Sequence, residues 1–282
     1  MRLARLYYRL VKFEHTIFAL PFAYVGAFLA VGGVPSAHDL AWITVAMVGG
    51  RSLAMALNRL IDAGLDARNP RTATRELPSG LLSVPAVVAF CVVSLVVFLV
   101  AVWQLDPVVR WLWPIPVAAF VVYPYLKRFT WLCHLWLGAV DGLAPMGAWV
   151  AITGELPWQA WALGGAVATW IAGFDLFYSL FDTDVDRAQG LHSWSTRFGE
   201  RGAFVGARAL HLATVALLAL AGLGLDVDAW YWLGVAAVAA LLVYEHSLVR
   251  PGELRRLDAA FFTVNGVISI VFLAFVLADT LA

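Results

Sequence analysis

Nine long apolar runs constrain this chain more than any other feature of its sequence. The hydrocarbon core of a bilayer requires about 20 mostly apolar residues per helix. Such runs lie at 15–34, 40–62, 84–104, 110–126, 132–153, 157–181, 203–224, 229–248 and 259–280. Hydrophobic residues make up 62% of the 282 residues and charged residues only 13%, whereas soluble domains carry about 45–50% and about 25%. The sequence therefore predicts an all-α membrane protein with nine transmembrane helices.

Basic residues are concentrated at the N-terminus and in every second connection, and Arg110 is the exception. They are Arg2, Arg5, Arg9, Lys12, Arg68, Arg71, Arg75, Lys127, Arg128, Arg187, Arg197, Arg201, Arg250, Arg255 and Arg256. Positively charged loops stay in the cytoplasm. We therefore expect a cytoplasmic N-terminus, an external C-terminus and a location in the cell (inner) membrane. The equal totals of 19 basic and 19 acidic residues give no reason to expect a nucleic-acid partner, and nothing implies a protein partner.

Two connections, about 63–83 and about 182–202, are longer than the others, and both fall on the predicted cytoplasmic face. Long structured loops in compact proteins are usually functional. We therefore expect these two segments to cap a functional site at the cytoplasmic end of the molecule.

Polar residues at four-residue spacing end the second and the sixth span. They are Asn58, Asp62 and Asp66 in the first ladder and Tyr178, Asp182 and Asp186 in the second. Residues four apart lie on one face of a helix, so each ladder should direct its carboxylates toward a shared cavity. The alternative is that these Asp residues only solvate helix ends, but two copies in register argue against it.

Clustered carboxylates at a membrane boundary require a counter-ion. Oxygen ligands without His or Cys suit hard cations, above all Mg²⁺ when a substrate phosphate completes its coordination shell. The predicted metal ligands are Asn58, Asp62, Asp66, Asp182 and Asp186.

Basic residues close to the ladders are suited to a diphosphate, because Arg binds phosphate oxygens through two parallel hydrogen bonds. The candidates are Arg68, Arg71, Arg75, Lys127 and Arg187. Each of them is also explained by the positive-inside rule, and the sequence leaves both interpretations open.

Charged residues inside the predicted spans are functional candidates as well. Arg51 lies seven residues before Asn58, and Asp175 lies seven before Asp182, so each shares a helix face with a ladder. Asp141 lies inside the fifth span. The alternative role for such a carboxylate is a buried partner for a basic residue elsewhere.

Three stretches resemble the UbiA-type superfamily of intramembrane prenyltransferases. The first is Asn58-x-x-x-Asp62-x-x-x-Asp66, continuing through Arg68, Arg71 and Arg75 to Pro78-Ser-Gly80. The second is Asp175-x-x-Tyr178-x-x-x-Asp182-x-Asp184-x-Asp186, continuing through Gly190-Leu-His-Ser193 to Arg197-Phe-Gly199. The third is Tyr123-Pro-Tyr-Leu-Lys127-Arg128-Phe-Thr130. The resemblance covers essentially the whole chain, which implies a single domain over 1–282.

This resemblance implies nine helices around a central chamber that opens laterally to lipid. A prenyl diphosphate would be held between the two Asp motifs through Mg²⁺, and ionisation of its allylic C–O bond would give a carbocation. That cation would alkylate a ring carbon ortho to a hydroxyl of an aromatic acid, a step of menaquinone- or ubiquinone-type quinone biosynthesis. The catalytic candidates are Asp62, Asp182, Tyr178 and Asp175.

Two departures from the family pattern concern the metal site and the acceptor. Arg59 stands where many members carry a second acid, and His192 replaces the Lys common in the 4-hydroxybenzoate branch. The stretch 11–22 and Gly190-Leu-His192-Ser193 look more like the branch assigned to dihydroxynaphthoate in the futalosine route to menaquinone. Both acceptors carry a carboxylate, which is costly to desolvate without a cation. We assign this contact to Arg128, together with Arg51.

A transporter of an anionic substrate is the main rival from another functional class. Transporters hold polar sites near the bilayer midplane between broken helices, whereas these ladders lie at one membrane face. A CDP-alcohol phosphotransferase is the rival enzyme, but its Asp-x-x-Asp-Gly motif is missing from Asp62-Ala-Gly-Leu-Asp66.

Overall fold

The computed structural model describes residues 2–12, 16–248 and 263–282, and every regular element within these ranges is helical. The α-helices are α1 (Arg2–Leu10), α2 (Thr16–Val31), α3 (Ala37–Ile61), α4 (Ala63–Asp66), α5 (Val84–Trp103), α6 (Val109–Leu112), α7 (Pro114–Leu126), α8 (Cys133–Thr153), α9 (Trp158–Tyr178), α10 (Thr183–Ala188), α11 (Trp194–Leu223), α12 (Ala229–Leu248) and α13 (Asn265–Leu281). A 3₁₀ turn, Ser179–Asp182, joins α9 to α10.

Seven of these helical segments are long and apolar enough to cross a membrane. They are α3, α5, α6 with α7, α8, α9 with the 3₁₀ turn and α10, α11 and α12. Ala19–Val31 and α13 are shorter apolar helices at the first and last predicted runs. The all-helical prediction is confirmed for the described residues, whereas the count of nine spans and the orientation stay predictions. The connection 249–257, with Arg250, Arg255 and Arg256, lies outside the described residues.

The two segments that we expect to cap the site differ from simple loops. Within 182–202, residues Thr183–Ala188 form α10, and α11 already begins at Trp194. Ser193 caps α11 through a reciprocal capping box with Thr196, which satisfies backbone N–H groups at the helix start. The second cap is therefore mostly helical.

The two ladders do not continue straight helices. Helix α3 ends at Ile61, and Asp62 joins it to the separate short helix α4. Helix α9 ends at Tyr178, and the chain tightens into the 3₁₀ turn that carries Asp182. Our expectation that each ladder follows one continuous helix face is wrong in this respect.

Helix α9 packs along both α8 and α11, while α2 packs against α8 and α13. Glycines make the α8–α9 approach close. A Cβ on Gly138 would lie 2.1 Å from the Ala168 carbonyl oxygen, and one on Gly142 would lie 2.5 Å from the Gly164 carbonyl oxygen. Small residues let membrane helices approach in this way. The contact fixes the relative position of two helices that both carry site residues.

The core lies on the other side of α9, among α2, α9, α12 and α13. Trp170, Tyr231 and Phe272 are fully buried there. The Trp170 Nε1–H donates to Asn265 Oδ1 at 2.7 Å, and the Tyr231 hydroxyl donates to the Leu218 carbonyl oxygen at 2.7 Å. These hydrogen bonds satisfy the polar atoms of both aromatic side chains inside the core.

Candidate functional site

A cavity of about 200 Å³ lies where α3 and α9 end. Its walls come from α3, α4, the segment 69–75, α7, α8, α9 and the turn and helix that follow α9. The predicted site residues that line it are Asn58, Asp62, Asp66, Arg71, Arg75, Lys127, Asp175, Tyr178, Asp182 and Asp186. The fold therefore brings both ladders to one cavity.

In the first ladder, each carboxylate has a basic partner. The Asn58 amide donates to Asp62 Oδ2 at 3.2 Å. Arg128 Nη2 donates to the other Asp62 oxygen at 3.2 Å and to the Ile61 carbonyl oxygen at 2.9 Å. Arg75 Nη1 contacts both oxygens of Asp66, at 2.6 and 2.7 Å. The end of α7 and the segment after α4 thus fix this ladder.

The second ladder is held largely by residues that follow the first. Asn69 Nδ2 and Arg71 Nε each donate to Asp182 Oδ1 at 3.0 Å, and Arg71 Nη2 pairs with Asp182 Oδ2. Arg71 Nη1 donates to the Tyr178 hydroxyl at 3.0 Å. Lys127 Nζ lies 2.8 Å from Asp186 Oδ1. The segment 69–75 therefore ties the two ladders together across the cavity.

The four ladder carboxylates each pair with one basic side chain: Asp62 with Arg128, Asp66 with Arg75, Asp182 with Arg71 and Asp186 with Lys127. Burial raises the pKa of Asp62 to about 6, although Arg128 opposes the shift. Burial lowers the pKa of Lys127, but Asp186 outweighs burial and leaves that pKa above its usual value. The same balance with Asp182 raises the pKa of Arg71. Lys127 and Arg71 therefore stay charged at neutral pH, while Asp62 takes up a proton more readily than an ordinary Asp.

Four predicted residues do not line the cavity. Arg68 donates to the Gly64 carbonyl oxygen at 3.2 Å on the surface, and Arg187 lies 3.9 Å from the fully exposed Asp184. Arg51 lies 3.9 Å from Asp141. Arg128 reaches the site only through Asp62.

Sequence reasoning assigned no specific site role to several residues that line the cavity. Asn69 stood inside a quoted motif without a role, and Arg59 is buried, with 5% of its surface exposed. His134 is a third, and its Nδ1 lies 2.6 Å from Asp175 Oδ2. A signal was available for His134, because it lies seven residues before Asp141 and therefore on the same face of α8.

The donor atoms fit Mg²⁺ only when a substrate supplies further ligands. Among the described residues, no three His, Cys, Asp or Glu side chains form a cluster that could hold a metal ion. The available donors are carboxylate and amide oxygens, and one buried Asp186 oxygen has no hydrogen-bond partner. Mg²⁺ is usually bound by one or two carboxylates together with substrate phosphates. The site thus fits a metal–diphosphate complex better than a bare ion.

Comparison with known protein families gives one match over most of the chain. Residues 19–275 match the model described as the UbiA prenyltransferase family. The chain is 31% identical over 247 residues to the 4-hydroxybenzoate octaprenyltransferase of Aliivibrio fischeri (strain MJ11), with 88% of this chain and 86% of that protein covered. The enzyme of the same name from Aromatoleum aromaticum is 31% identical over 277 residues, covering 96% and 93%.

Solved structures share the fold. The apo structure of a UbiA homolog from Aeropyrum pernix K1 superposes with a TM-score of 0.86 at 33% identity, covering 94% of this chain and 98% of that one. A UbiA homolog from Archaeoglobus fulgidus, bound to GPP and Mg²⁺, superposes with a TM-score of 0.79 at 19% identity, covering 98% and 100%.

Proposed function

We propose, because this chain belongs to the UbiA prenyltransferase family, that it uses Mg²⁺ to transfer a (poly)prenyl group from a prenyl diphosphate to a ring carbon of an aromatic hydroxy acid. The chain is a multi-pass membrane protein and a prenyltransferase, which sets the transporter alternative aside. The observation that carries the proposal is the meeting of two Asp ladders and their basic partners around one cavity.

The membrane arrangement that we propose has nine spans in a single domain over 1–282, with the N-terminus in the cytoplasm and the C-terminus outside. The site then faces the cytoplasm of the inner membrane, beneath the segments 63–83 and 182–202. Seven membrane-length helices and two shorter apolar ones support this count. The prenyl tail would lie between the helices, in a chamber open to lipid.

Binding of the diphosphate requires the internal charge pairs to exchange partners. Asn58, Asp62, Asp66, Asp182 and Asp186 would hold Mg²⁺, which neutralises and orients the diphosphate leaving group when bound. Arg71, Arg75 and Lys127 already point into the cavity and would turn from carboxylate to phosphate oxygens. Arg68 and Arg187, at the surface, would meet the diphosphate on entry. Both partners of each pair thus serve the same substrate.

Tyr178 is suited to the charge that develops on the allylic carbon. The allylic C–O bond breaks, the diphosphate leaves with the electron pair, and the prenyl group becomes cationic. The Arg71 guanidinium carbon lies 5.2 Å from the centroid of the Tyr178 ring, so this ring face already accepts a cation. Cation–π contact is worth about 0.5–2 kcal/mol. We assign Tyr178 to stabilising the carbocation, with Asp175 one helical turn deeper.

The acceptor class rests on two different lines of support. Relatives named 4-hydroxybenzoate octaprenyltransferase are about 30% identical, whereas 11–22 and Gly190–Ser193 resemble the dihydroxynaphthoate branch. Both acceptors are aromatic hydroxy acids. Arg128 and Arg51 are our candidates for the acceptor carboxylate, and their Nε atoms are buried without hydrogen-bond partners.

The direct test is incubation of the purified protein with geranyl diphosphate, Mg²⁺ and either 4-hydroxybenzoate or dihydroxynaphthoate. We expect the mass of one acceptor to rise by one geranyl group, with loss of product in EDTA and recovery on adding Mg²⁺. Competition between the two acids identifies the preferred one. Full turnover in metal-free buffer would contradict the metal requirement, and no product from either acid would contradict the acceptor class.

A further inference from the structure

A buried histidine–carboxylate pair lies in the cavity beside the ladders. His134, from the first turn of α8, is 6% exposed, and its Nδ1 lies 2.6 Å from Asp175 Oδ2 on α9. Its other ring nitrogen, Nε2, is buried and has no hydrogen-bond partner. His134 lines the cavity together with Tyr178 and Asp175.

An unpartnered buried nitrogen requires an explanation, because leaving a buried polar atom without a partner costs about 1–3 kcal/mol. A histidine with a purely structural role would have hydrogen-bond partners for both ring nitrogens, and His134 has one only for Nδ1. Since His134 lines a cavity, a ligand in that cavity can supply the missing contact. The geometry is that of a site awaiting a polar group of its substrate.

The arrangement also gives Nε2 a defined chemical property. When Nδ1–H donates to a carboxylate, the neutral ring keeps its lone pair on Nε2. A neighbouring carboxylate holds the ring in that tautomer and stabilises the imidazolium that forms when Nε2 takes a proton. Asp175 is therefore a positioning residue that prepares His134 to accept a proton.

Other groups around the cavity are less suited to that task. The ladder carboxylates are each paired with a basic side chain, and the Arg and Lys side chains carry their protons at neutral pH. Of the described residues that line the cavity, His134 is the one histidine. Imidazole is the side chain that most often serves as a general base in enzymes.

We propose that His134, held by Asp175, is the general base that removes the ring proton from the aromatic acceptor. The inference rests on the proposed function. The ring π electrons form the new C–C bond to the allylic carbon, which leaves a proton and a positive charge on the ring. His134 Nε2 takes that proton, and the C–H bond pair returns to the ring and restores its aromaticity. The products are the prenylated acid, diphosphate and a proton, which passes from the imidazolium to solvent.

The test compares His134→Gln, Asp175→Asn and the double variant with the wild type, using the acceptor with ordinary and deuterated ring positions. His38→Gln is the matched control, because His38 also contacts a neighbouring Asp but is largely exposed at the other end of α3. We expect kcat to fall about 10²–10⁴-fold in both single variants. The double variant should be no worse than His134→Gln, because the two residues act as a unit.

The isotope effect separates proton removal from a structural role. In the wild type we expect similar rates for both forms of the acceptor, whereas His134→Gln should be slower with the deuterated form because proton removal now limits turnover. Imidazole in the buffer should partly restore His134→Ala. The KM for prenyl diphosphate should hardly change in any variant.

Three outcomes would overturn the inference while leaving the proposed function intact: an unchanged rate in His134→Gln, a slower rate without an isotope effect, or no rescue of folded His134→Ala. If His134→Gln fails to fold, Asp175→Asn, which keeps the side chain's size, decides by the same isotope measurement. Absence of product from the wild-type protein would instead contradict the proposed function itself.

Discussion

Asp182 is the residue on which the two halves of the site converge. It accepts hydrogen bonds from Asn69 and Arg71, both of which follow the other ladder. We predict that Asp182→Asn lowers kcat at least about 10²-fold, because it removes a charge that orders both the metal and Arg71, and a charged hydrogen bond alone is worth about 1.5–3 kcal/mol. The measurement is kcat at saturating Mg²⁺, with thermal unfolding to show that the variant folds.

A matched control for Asp182→Asn lies two residues along the chain. Asp184 is fully exposed and lies 3.9 Å from Arg187, so Asp184→Asn should keep near wild-type activity. Asp62→Asn should behave like Asp182→Asn. A near-normal rate in either ladder variant would mean that its ladder does not hold the metal.

The raised pKa of Asp62 predicts that metal binding depends on pH. Its pKa is raised to about 6, so above pH 6 the carboxyl is ionised and below pH 6 it holds a proton that a metal must displace. Proton competition of this kind weakens apparent metal affinity about tenfold for each pH unit below the pKa. We predict that the concentration of Mg²⁺ or Mn²⁺ needed to raise the melting temperature, at a fixed concentration of prenyl diphosphate, increases more steeply between pH 6.5 and pH 5 than it does in Asp62→Asn. An equal metal requirement across this range would contradict ionisation of Asp62 on binding.

Two roles can be assigned to Arg128, and kinetic measurements distinguish between them. If it binds the acceptor carboxylate, Arg128→Gln should raise the acceptor KM by about ten- to a hundredfold, the equivalent of about 1.5–3 kcal/mol, and leave the diphosphate KM unchanged. Arg128 also lies 3.2 Å from Asp62. If its role is instead to position this proposed metal ligand, Arg128→Gln should change the Mg²⁺ concentration needed for activity. Saturation curves for acceptor, diphosphate and Mg²⁺ decide between them, and three unchanged curves would leave Arg128 as a topology determinant.

At the level of helices, the close approach of α8 and α9 holds His134 and Asp175 together. A Cβ on Gly142 would lie 2.5 Å from the Gly164 carbonyl oxygen, whereas a Cβ on Gly147, on the same helix, would meet nothing within 4 Å. We predict that Gly142→Ala destabilises the protein by about 1–3 kcal/mol and lowers activity, because backbone atoms must move apart. Gly147→Ala should be neutral or slightly stabilising. The measurements are the melting temperature and kcat of both variants in detergent. Equal losses in Gly142→Ala and Gly147→Ala would contradict a packing role for Gly142.

The sequence was most informative where hydrophobicity alone decides the structure. The helices at 84–104, 132–153 and 229–248 agree with the predicted runs to within a residue, because the length of an apolar run is a local property. The start of α11 was predicted nine residues too late. Its first turns are polar, and a capping box at Ser193 rather than hydrophobicity begins the helix.

The structure brings most of the predicted site residues to one cavity, and their roles stay predictions. The spacing of the Asp residues indicated which carboxylates share a face, yet it could not indicate that Arg71 pairs with Asp182 across 111 positions. Such contacts depend on how α3 and α9 meet, which no local pattern encodes. The spacing between His134 and Asp141 gave a local signal for His134, but its pairing with Asp175 on another helix could not be predicted from it.

On the scale of the whole molecule, the orientation in the membrane is directly testable. We predict that Asp184→Cys reacts with a membrane-impermeant maleimide only from the cytoplasmic side, and His38→Cys only from the outside. Both positions are exposed, and the native Cys91 and Cys133 are buried, so background labelling should be low. Labelling of intact spheroplasts and of inverted vesicles gives the two measurements. Reaction of both cysteines from one side would contradict the proposed topology.

The one-to-one pairing of the ladder carboxylates with basic side chains has a consequence for the end of the proposed catalytic cycle. A product diphosphate held by several cations would dissociate slowly if those cations had no other anionic partner. Here Arg71, Arg75 and Lys127 each have a carboxylate within reach, so the protein's own acids compete with the departing product for its basic residues. Under the proposed function, this network would help to displace the product diphosphate and would return the site to its resting state.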